Sequence, residues 1–120
     1  MKLNSFSVAE KRVIIDKKTE LPYSGIYNDF WKEGIYLCKL CGNPLFSSRA
    51  KFEAGCGWPS YDTSFKESLD MVSDPDGMRI EIRCKRCKGH LGHLFKGEGF
   101  TPKNKRYCVN SVSLKFVAKT

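Results

Sequence analysis

Cys38-Lys39-Leu40-Cys41 and Cys84-Lys85-Arg86-Cys87 share one Cys-x-x-Cys spacing, and these two stretches decide the fold. Zn²⁺ prefers a tetrahedral shell of thiolates, and each pair can bind one edge of that tetrahedron. A shell of four cysteines leaves no position for water or substrate. We therefore predict one structural Zn²⁺ held by Cys38, Cys41, Cys84 and Cys87. Two alternatives stay open: iron in the same shell, and a pair of redox-active Cys-x-x-Cys motifs.

The length and composition predict a single domain over residues 1–120, because compact domains run from about 50 to 250 residues. The longest stretch without a charged residue runs only from Leu40 to Ser48, whereas a membrane-spanning helix needs about 20 mostly apolar residues. Residues 1–9 mix one lysine with polar residues and lack the apolar core of a secretory signal. We expect a cytoplasmic protein, in which paired cysteines indicate metal ligation rather than disulfides.

The net charge of +8 allows a nucleic-acid partner. However, many of the basic residues flank the two cysteine pairs, where they would offset the negative charge of a zinc-thiolate cluster. We therefore expect no nucleic-acid partner. A zinc-knuckle module that binds RNA or protein is the competing function. The basic residues around the two pairs are Lys39, Arg83, Lys85, Arg86 and Lys88.

Several segments carry strand patterns. Residues 34–38 read as a strand that delivers the first cysteine pair, and residues 78–84 alternate between apolar and charged side chains, with Arg79, Glu81 and Arg83 on one face. Residues 90–95 and 106–117 also read as extended. The latter segment places Arg106, Cys108, Asn110, Val112, Leu114 and Phe116 on one face.

The remaining patterns are local. Residues 21–25 have the composition of a turn. Ser7 and Glu10 have capping-box spacing, which predicts a short helix, although the β-branched residues 13–15 fit the start of a strand equally well. The chain is thus predicted to be mainly β, with two small antiparallel sheets, a four-cysteine zinc site and little helix near the N-terminus.

Two of the six cysteines have no ligand role. Cys56 lies between Gly55 and Gly57, which remove side-chain bulk, so we expect its thiol to be approachable; a small buried side chain in the core is the alternative. Trp58 follows, and Pro59 restricts the backbone of this tryptophan, as suits an indole that walls a site. A place in the core is the alternative for Trp58.

Cys108 follows Lys105 and Arg106, whose charges favour the thiolate, the nucleophilic form of cysteine. The chain has two histidines, His90 and His93, and histidine can exchange a proton near neutral pH. Residues three apart on a regular strand face opposite sides, so we expect one histidine to act, and we favour His93.

The motifs combine into a recognisable set. Two Cys-x-x-Cys pairs, Gly-Cys-Gly-Trp-Pro-Ser-Tyr at 55–61, Gly-His-Leu-Gly-His-Leu-Phe at 89–95 and Arg-Tyr-Cys-Val-Asn-Ser-Val at 106–112 occur in order. In these motifs, over about residues 13–117, the chain resembles the zinc-containing B-type peptide methionine-R-sulfoxide reductases. The resemblance implies a zinc-stabilised β fold and reduction of the R epimer of methionine sulfoxide in oxidised proteins.

The resemblance also implies roles for individual residues. It places the nucleophile on Cys108, the recycling cysteine on Cys56 and the structural zinc on the two cysteine pairs. It places the substrate pocket on Trp58, His90, His93 and Asn110, and we assign Arg106 to substrate binding as well. The expected partners are peptides or proteins containing methionine-R-sulfoxide, with thioredoxin as the reductant of a monomeric enzyme.

The expected reaction follows from these roles. The Cys108 thiolate attacks the sulfoxide sulfur while His93, with or without His90, supplies the proton that the sulfoxide oxygen needs. Asn110 orders the site through its side chain, and Trp58 walls the methyl group. Cys108 becomes a sulfenic acid, Cys56 condenses with it, and thioredoxin reduces the disulfide. A thiol peroxidase or redox sensor using the same two cysteines is a third alternative.

Three segments depart from the family pattern. Leu21 stands in the usual Thr-Glu-Arg-Pro motif where arginine is common, and Asn104-Lys105 replace glycine and leucine before the nucleophile. Asp74 or Asp76 stands where a glutamate is frequent. These changes bear on substrate range and on the acid-base helper, and they leave the thiols unchanged.

Overall fold

Two antiparallel β-sheets form the fold in a computed structural model that describes residues 19–73, 75 and 79–119. One sheet has three strands in the order β2-β1-β9, and the other has six in the order β3-β4-β8-β7-β6-β5. The strands are β1 Gly34–Cys38, β2 Pro44–Ser47, β3 Lys51–Phe52, β4 Ser60–Tyr61, β5 Leu69–Ser73, β6 Ile80–Cys84, β7 His90–Lys96, β8 Lys105–Val109 and β9 Leu114–Ala118.

The prediction of a mainly β protein with two antiparallel sheets is confirmed. The described residues contain two 3₁₀ turns, at Ser48–Ala50 and Ser111–Ser113, and no α-helix. The helix predicted at residues 7–10 lies outside the described residues, as do Asp74 and Asp76. Over the described part of the chain, no helix has the length and apolar character that a membrane span requires.

The predicted continuous strand over residues 106–117 is wrong. β8 ends at Val109, and the turn Ser111–Ser113 carries the chain from the larger sheet into β9 of the smaller one. Arg106 and Cys108 therefore do not share a sheet face with Leu114 and Phe116. The apolar positions change from Tyr107 and Val109 to Val112 and Leu114, so the alternation is interrupted by the two polar residues Asn110 and Ser111, where the chain changes sheet.

Aromatic side chains join the two sheets. Tyr61 of β4 stacks on Phe46 of β2 with ring centroids 4.3 Å apart, and it meets Tyr36 of β1 edge-on at 5.2 Å. All three side chains are fully buried. Because aromatic rings bury a large apolar area and pack in few geometries, these contacts set how the sheets face each other.

Candidate active site

The two Cys-x-x-Cys pairs form matching turns at the ends of β1 and β6. In the first turn the N–H of Gly42 donates to the carbonyl of Cys38 over 2.8 Å, and in the second Lys88 does the same to Cys84 over 2.8 Å. Gly42 and Lys88 both have positive φ, at 79° and 66°. The same local backbone path thus presents each cysteine pair to the other.

The four sulfurs fit a tetrahedral metal ion. The ligand atoms of Cys38, Cys41, Cys84 and Cys87 all lie within 4.8 Å of one another. Two Sγ–Sγ distances, Cys38–Cys87 and Cys41–Cys84, are 3.6 Å, close to the ~3.8 Å edge of a zinc-thiolate tetrahedron with 2.3 Å bonds. The backbone N–H of Gly89 also donates to Cys87 Sγ over 3.4 Å. This group can hold a metal ion of structural type.

The other two cysteines come together on the larger sheet. Cys108 lies in β8, paired with Ser60 of β4 on one side and with His93 of β7 on the other. Beside this pair, a Cβ added to Gly92 would lie 1.9 Å from the carbonyl oxygen of Cys108. Glycine at position 92 therefore permits β7 to approach the strand that carries Cys108.

Cys56 reaches Cys108 from the loop before β4. Gly55 and Gly57 on either side of it have positive φ, at 69° and 95°. Its Sγ lies 3.4 Å from the carbonyl oxygen of Trp58 and accepts a hydrogen bond from Arg106 Nη1 over 3.2 Å. Both thiols are half-buried, and the approachability expected of Cys56 from its glycine neighbours stays a prediction.

A hydrogen bond between the two thiols shifts their pKa values in opposite directions. The hydrogen bond from Cys108 is the main cause that lowers the pKa of Cys56 to about 5, and the Arg106 charge acts in the same direction. The same hydrogen bond and burial raise the pKa of Cys108 above its ordinary value. In this arrangement the negative charge of the pair lies on Cys56, beside the guanidinium. The expectation of a thiolate at Cys108 is therefore wrong for the resting pair, because the Arg106 guanidinium is directed at Cys56 and its lowering effect on the pKa of Cys108 is outweighed.

A cavity of about 130 Å³ opens beside Cys108. Trp58 and Phe95 give it an aromatic lining, while His93 and Asn110 supply polar groups. The Asn110 side chain is held at both ends, since Oδ1 accepts from the N–H of Glu20 and Nδ2 donates to the carbonyl of Leu91, each over 3.0 Å. The remaining lining residues are Thr19, Arg79, Gly92, Cys108 and Val109.

Both histidines face the same side of β7. Ile82 of β6 pairs with Gly92 but Arg83 pairs with His90, so Leu91 is an extra residue on β7. Such a bulge changes the alternation of the strand, and the two imidazole rings consequently lie 5.6 Å apart in a T-shaped arrangement. The expectation that they face opposite sides is wrong. His93 lines the cavity beside Cys108, and both line a neighbouring cavity of about 450 Å³.

Glu81 is a site residue that sequence reasoning missed. Its carboxylate Oε2 lies 2.8 Å from His90 Nδ1, and both side chains are buried, at 6% and 3% exposure. The alternation in residues 78–84 predicts that Glu81 lies on the charged, solvent-facing side of the strand. In the structure the Glu81 side chain is instead buried against His90. The informative signal was a lone acidic residue on the strand preceding the histidines, since neighbouring antiparallel strands bring such groups together.

The Arg106 side chain contacts both Cys56 of the thiol pair and Glu98, in the loop before β8. Its guanidinium pairs with the carboxylate of Glu98, with Nε 2.9 Å from Oε1, and it stacks over the Phe95 ring at 4.4 Å. These contacts direct Nη1 at Cys56. The predicted role of Arg106 in substrate binding stays a prediction, because its contacts in the structure, to Glu98, Phe95 and Cys56, lie within the protein.

The fold and site define a class: a β protein with a four-cysteine metal-type centre and a separate thiol pair beside an aromatic cavity. Comparison with known proteins is consistent with this class. A profile of the SelR domain matches residues 6–118, almost the whole chain. The chain belongs to the SelR-domain family.

Named relatives extend this result. The chain is 53% identical over 106 residues to peptide methionine sulfoxide reductase B5 of Oryza sativa subsp. japonica, which covers 88% of this chain and 78% of the relative. It is 55% identical to peptide methionine sulfoxide reductase B3 of Arabidopsis thaliana, over 88% of this chain and 60% of that protein. For the chloroplastic B2 protein of A. thaliana the identity is 53%, over 88% and 52%. These relatives indicate an oxidoreductase, and the chain spans little more than half of the two Arabidopsis proteins.

A solved structure shares the fold at low sequence identity. The crystal structure of the Mis18 "Yippee-like" domain superposes with a TM-score of 0.54, covering 74% of this chain and 99% of that one. Its sequence identity to this chain is 16%. This likeness concerns the fold alone.

Proposed function

We propose that the protein is a peptide methionine-R-sulfoxide reductase of the B type that repairs oxidised proteins. The observation that carries this proposal is the thiol pair: Cys108, in hydrogen-bonding contact with Cys56, lies beside a small cavity that also has Trp58 and His93 in its lining. A two-electron reduction needs two thiols that can meet, and a methionine sulfoxide substrate needs an apolar wall for its methyl group. The SelR-domain relatives supply the substrate class.

In the first step Cys108 attacks the sulfoxide sulfur. Its proton moves to the Cys56 thiolate, so the charge of the pair transfers to the attacking sulfur. The sulfoxide oxygen leaves the methionine sulfur only if it is protonated. His93 is the candidate donor because it lines the same cavity and lies directly across the strand pair from Cys108. The methionine thioether departs, and Cys108 holds the oxygen as a sulfenic acid.

His90 and Glu81 have a supporting part in this step. The Glu81 carboxylate at His90 Nδ1 orients that imidazole, and the two imidazole rings are in edge contact. A carboxylate beside a histidine holds the ring in one tautomer. We assign His90 to orienting the acid and Asn110 to ordering the cavity wall.

In the second step Cys56 acts as the recycling cysteine. Cys56 took up the Cys108 proton in the first step and now gives it up. Its sulfur attacks the sulfenic sulfur of Cys108, an S–S bond forms, and the hydroxyl leaves as water with that proton. The charge of Arg106 lowers the pKa of Cys56 whatever the state of Cys108, and it therefore favours loss of that proton. An external dithiol of the thioredoxin type then reduces the disulfide by exchange. We propose that Trp58 packs against the methyl group of the substrate. We propose two roles for Arg106: it contacts the substrate, and it stabilises the negative charge of the thiol pair.

We propose zinc as the metal of the four-cysteine group. Cys38, Cys41, Cys84 and Cys87 would hold it, and a closed thiolate shell supplies folding free energy rather than a reactive position. We further propose that the protein acts as a cytoplasmic monomer.

Turnover of separate sulfoxide epimers tests the proposal. Cys108→Ser is expected to abolish reduction of the R epimer in a peptide with any reductant, while Cys56→Ser completes one turnover and then stops with thioredoxin. The S epimer should not react. Wild-type protein that reduces peroxide but neither epimer would refute the function, and normal cycling of Cys56→Ser with thioredoxin would refute its recycling role.

A further inference from the structure

We propose that Glu20 is a positioning residue for sulfoxide reduction. Its carboxylate anchors the turn that follows Cys108, and its backbone groups hold Asn110 and Trp58 at the substrate cavity. This inference rests on the proposed function and concerns a residue that lies outside the thiols, the histidines and the metal centre.

The anchor is at the 3₁₀ turn Ser111–Ser113. Oε1 of Glu20 accepts a hydrogen bond from the backbone N–H of Val112 over 3.1 Å. Asn110 is the N-cap residue of this turn but makes no side-chain cap hydrogen bond. Glu20 therefore satisfies an N–H group at the start of the turn that an N-cap side chain usually satisfies. The Asn110 amide is left for other contacts.

The backbone of Glu20 also holds two side chains that line the cavity, Asn110 and Trp58. Its N–H donates to Asn110 Oδ1, and its carbonyl accepts from the indole Nε1 of Trp58, each over 3.0 Å. Asn110 continues the chain of contacts to the carbonyl of Leu91 in β7. One residue thus joins the tryptophan of the Cys56 loop to the asparagine that follows the nucleophile strand.

Close packing leaves the carboxylate little freedom. A Cβ built on Gly25 would lie 2.3 Å from Glu20 Oε2 and 2.2 Å from Ser111 Oγ, so only glycine fits there. Ser111 Oγ in turn accepts from the N–H of Tyr27 over 3.1 Å. Burial raises the pKa of Glu20 against the lowering effect of its bonds to Ser111 and Val112. Oε1 is therefore hydrogen-bonded, whereas Oε2 is enclosed without a hydrogen-bond partner among the described residues.

Loss of the Glu20 carboxylate is expected to move two walls of the cavity. When the anchor is lost, residue 20 can move, and the indole of Trp58 and the amide of Asn110 move with it. Misplacement of positioning groups by about 1 Å can cost about 100-fold in rate. In the part of the chain that the structure describes, Glu20 makes no hydrogen bond to either thiol, so the loss of its carboxylate acts on their chemistry through the walls of the cavity.

Three variants test the inference by single-turnover reduction of a methionine-R-sulfoxide peptide. Glu20→Ala removes the anchor, and we expect kcat/KM to fall about 10- to 100-fold. Glu20→Gln keeps an oxygen that can accept from Val112 and is expected to remain within about threefold of wild type, since one neutral hydrogen bond is retained. Glu33→Ala is the matched control, because Glu33 is 73% exposed in an ion pair with Lys119. Wild-type activity in Glu20→Ala, or equal losses in the Ala and Gln variants, would overturn the inference.

A second readout does not depend on turnover. In a Trp31→Phe background the emission of the remaining tryptophan reports on Trp58 alone. Glu20→Ala should shift that emission towards the value for exposed indole, and Glu20→Gln should restore it; unchanged emission overturns the inference. If Glu20→Ala does not fold, Glu20→Asp, which keeps the charge but has a shorter reach, must show the same shift. Failure of wild type to reduce the R epimer would instead refute the proposed function.

Discussion

Six cysteines of one chain behave in two ways, and the backbone around them accounts for the difference. Cys38, Cys41, Cys84 and Cys87 lie at the ends of two matching turns, each closed by its own backbone hydrogen bonds. Cys56 and Cys108 come from unlike elements, a glycine-flanked loop and a central strand. The first arrangement leaves no sulfur for reaction, and the second leaves two sulfurs that can approach each other.

The charges around the two sets also differ. Around the four-cysteine group, backbone and amide N–H groups point at the sulfurs, as Gly89 does to Cys87 and Asn43 to Cys84. At the thiol pair a full positive charge, the guanidinium of Arg106, lies 3.2 Å from Cys56. Neutral donors suit sulfurs bound to a cation, whereas a single cation selects one thiolate of a pair.

The largest expected effect comes from breaking the four-cysteine group. Cys84→Ser removes a fully buried sulfur ligand, and we expect loss of the metal and of about 5 kcal/mol or more of stability. For a chain of this size that corresponds to a fall of about 20 °C in Tm. Metal analysis and thermal unfolding measure both. Cys56→Ser is the control and should keep its metal and lose less than about 4 °C; a metal-loaded, stable Cys84→Ser protein would contradict the prediction.

Gly92→Ala is expected to damage the thiol site while sparing the metal site. The added Cβ would lie 1.9 Å from the carbonyl oxygen of Cys108, so β7 and β8 must separate. We expect a loss of about 2–4 kcal/mol of stability, typical of severe backbone crowding, and a large loss of turnover. Denaturant unfolding and metal content are the measurements. Gly42→Ala is a comparison in the metal-site turn, where nothing lies within 4 Å of the added Cβ although φ is +79°.

Titration of Cys56 sharpens the comparison within the thiol pair. Alkylation of Cys56 in metal-loaded protein, followed by peptide mass analysis, should show a midpoint at about pH 5. Cys108→Ala removes the main cause of the lowered pKa, so the midpoint should rise towards about 8.5, the value of an ordinary thiol. Arg106→Met should raise it less, because the guanidinium is a smaller cause. An unchanged midpoint in Cys108→Ala would show that the hydrogen bond between the thiols does not set the acidity.

The smallest effect is expected at the loop that carries Cys56. Tyr23 donates from its backbone N–H to Gly57 over 2.7 Å and from its hydroxyl to Gly55 over 2.8 Å. Tyr23→Phe removes only the second bond, which contributes about 1 kcal/mol. We expect disulfide formation after one turnover to slow by about two- to fivefold, measured by quenched-flow thiol counting. Equal slowing of the preceding sulfoxide reduction would mean that Tyr23 acts elsewhere.

Local patterns predicted much of the fold. The strand Gly34–Cys38 and the turn around Leu21 to Ser24 occur as expected, because alternation and turn composition act over a few residues. The strand over 106–117 was mispredicted, because two consecutive polar residues, Asn110 and Ser111, interrupt the alternation there. The turn Ser111–Ser113 is then held by Glu20 and Tyr27, which lie 92 and 84 positions away from their partners in it. The mutual position of the histidines was also mispredicted, because a bulge depends on the register with β6.

The sequence by itself determined the chemistry that this protein can use: which sulfurs stand in metal-binding spacing, which stand apart, and which histidines and tryptophan accompany them. Those features depend on residue type and short spacing. The tertiary structure alone decided that Glu81 meets His90, that Arg106 faces Cys56 and that Glu20 holds Trp58 and Asn110. Each of these contacts joins elements distant in the chain, and long-range register and packing, not local propensity, bring such elements together.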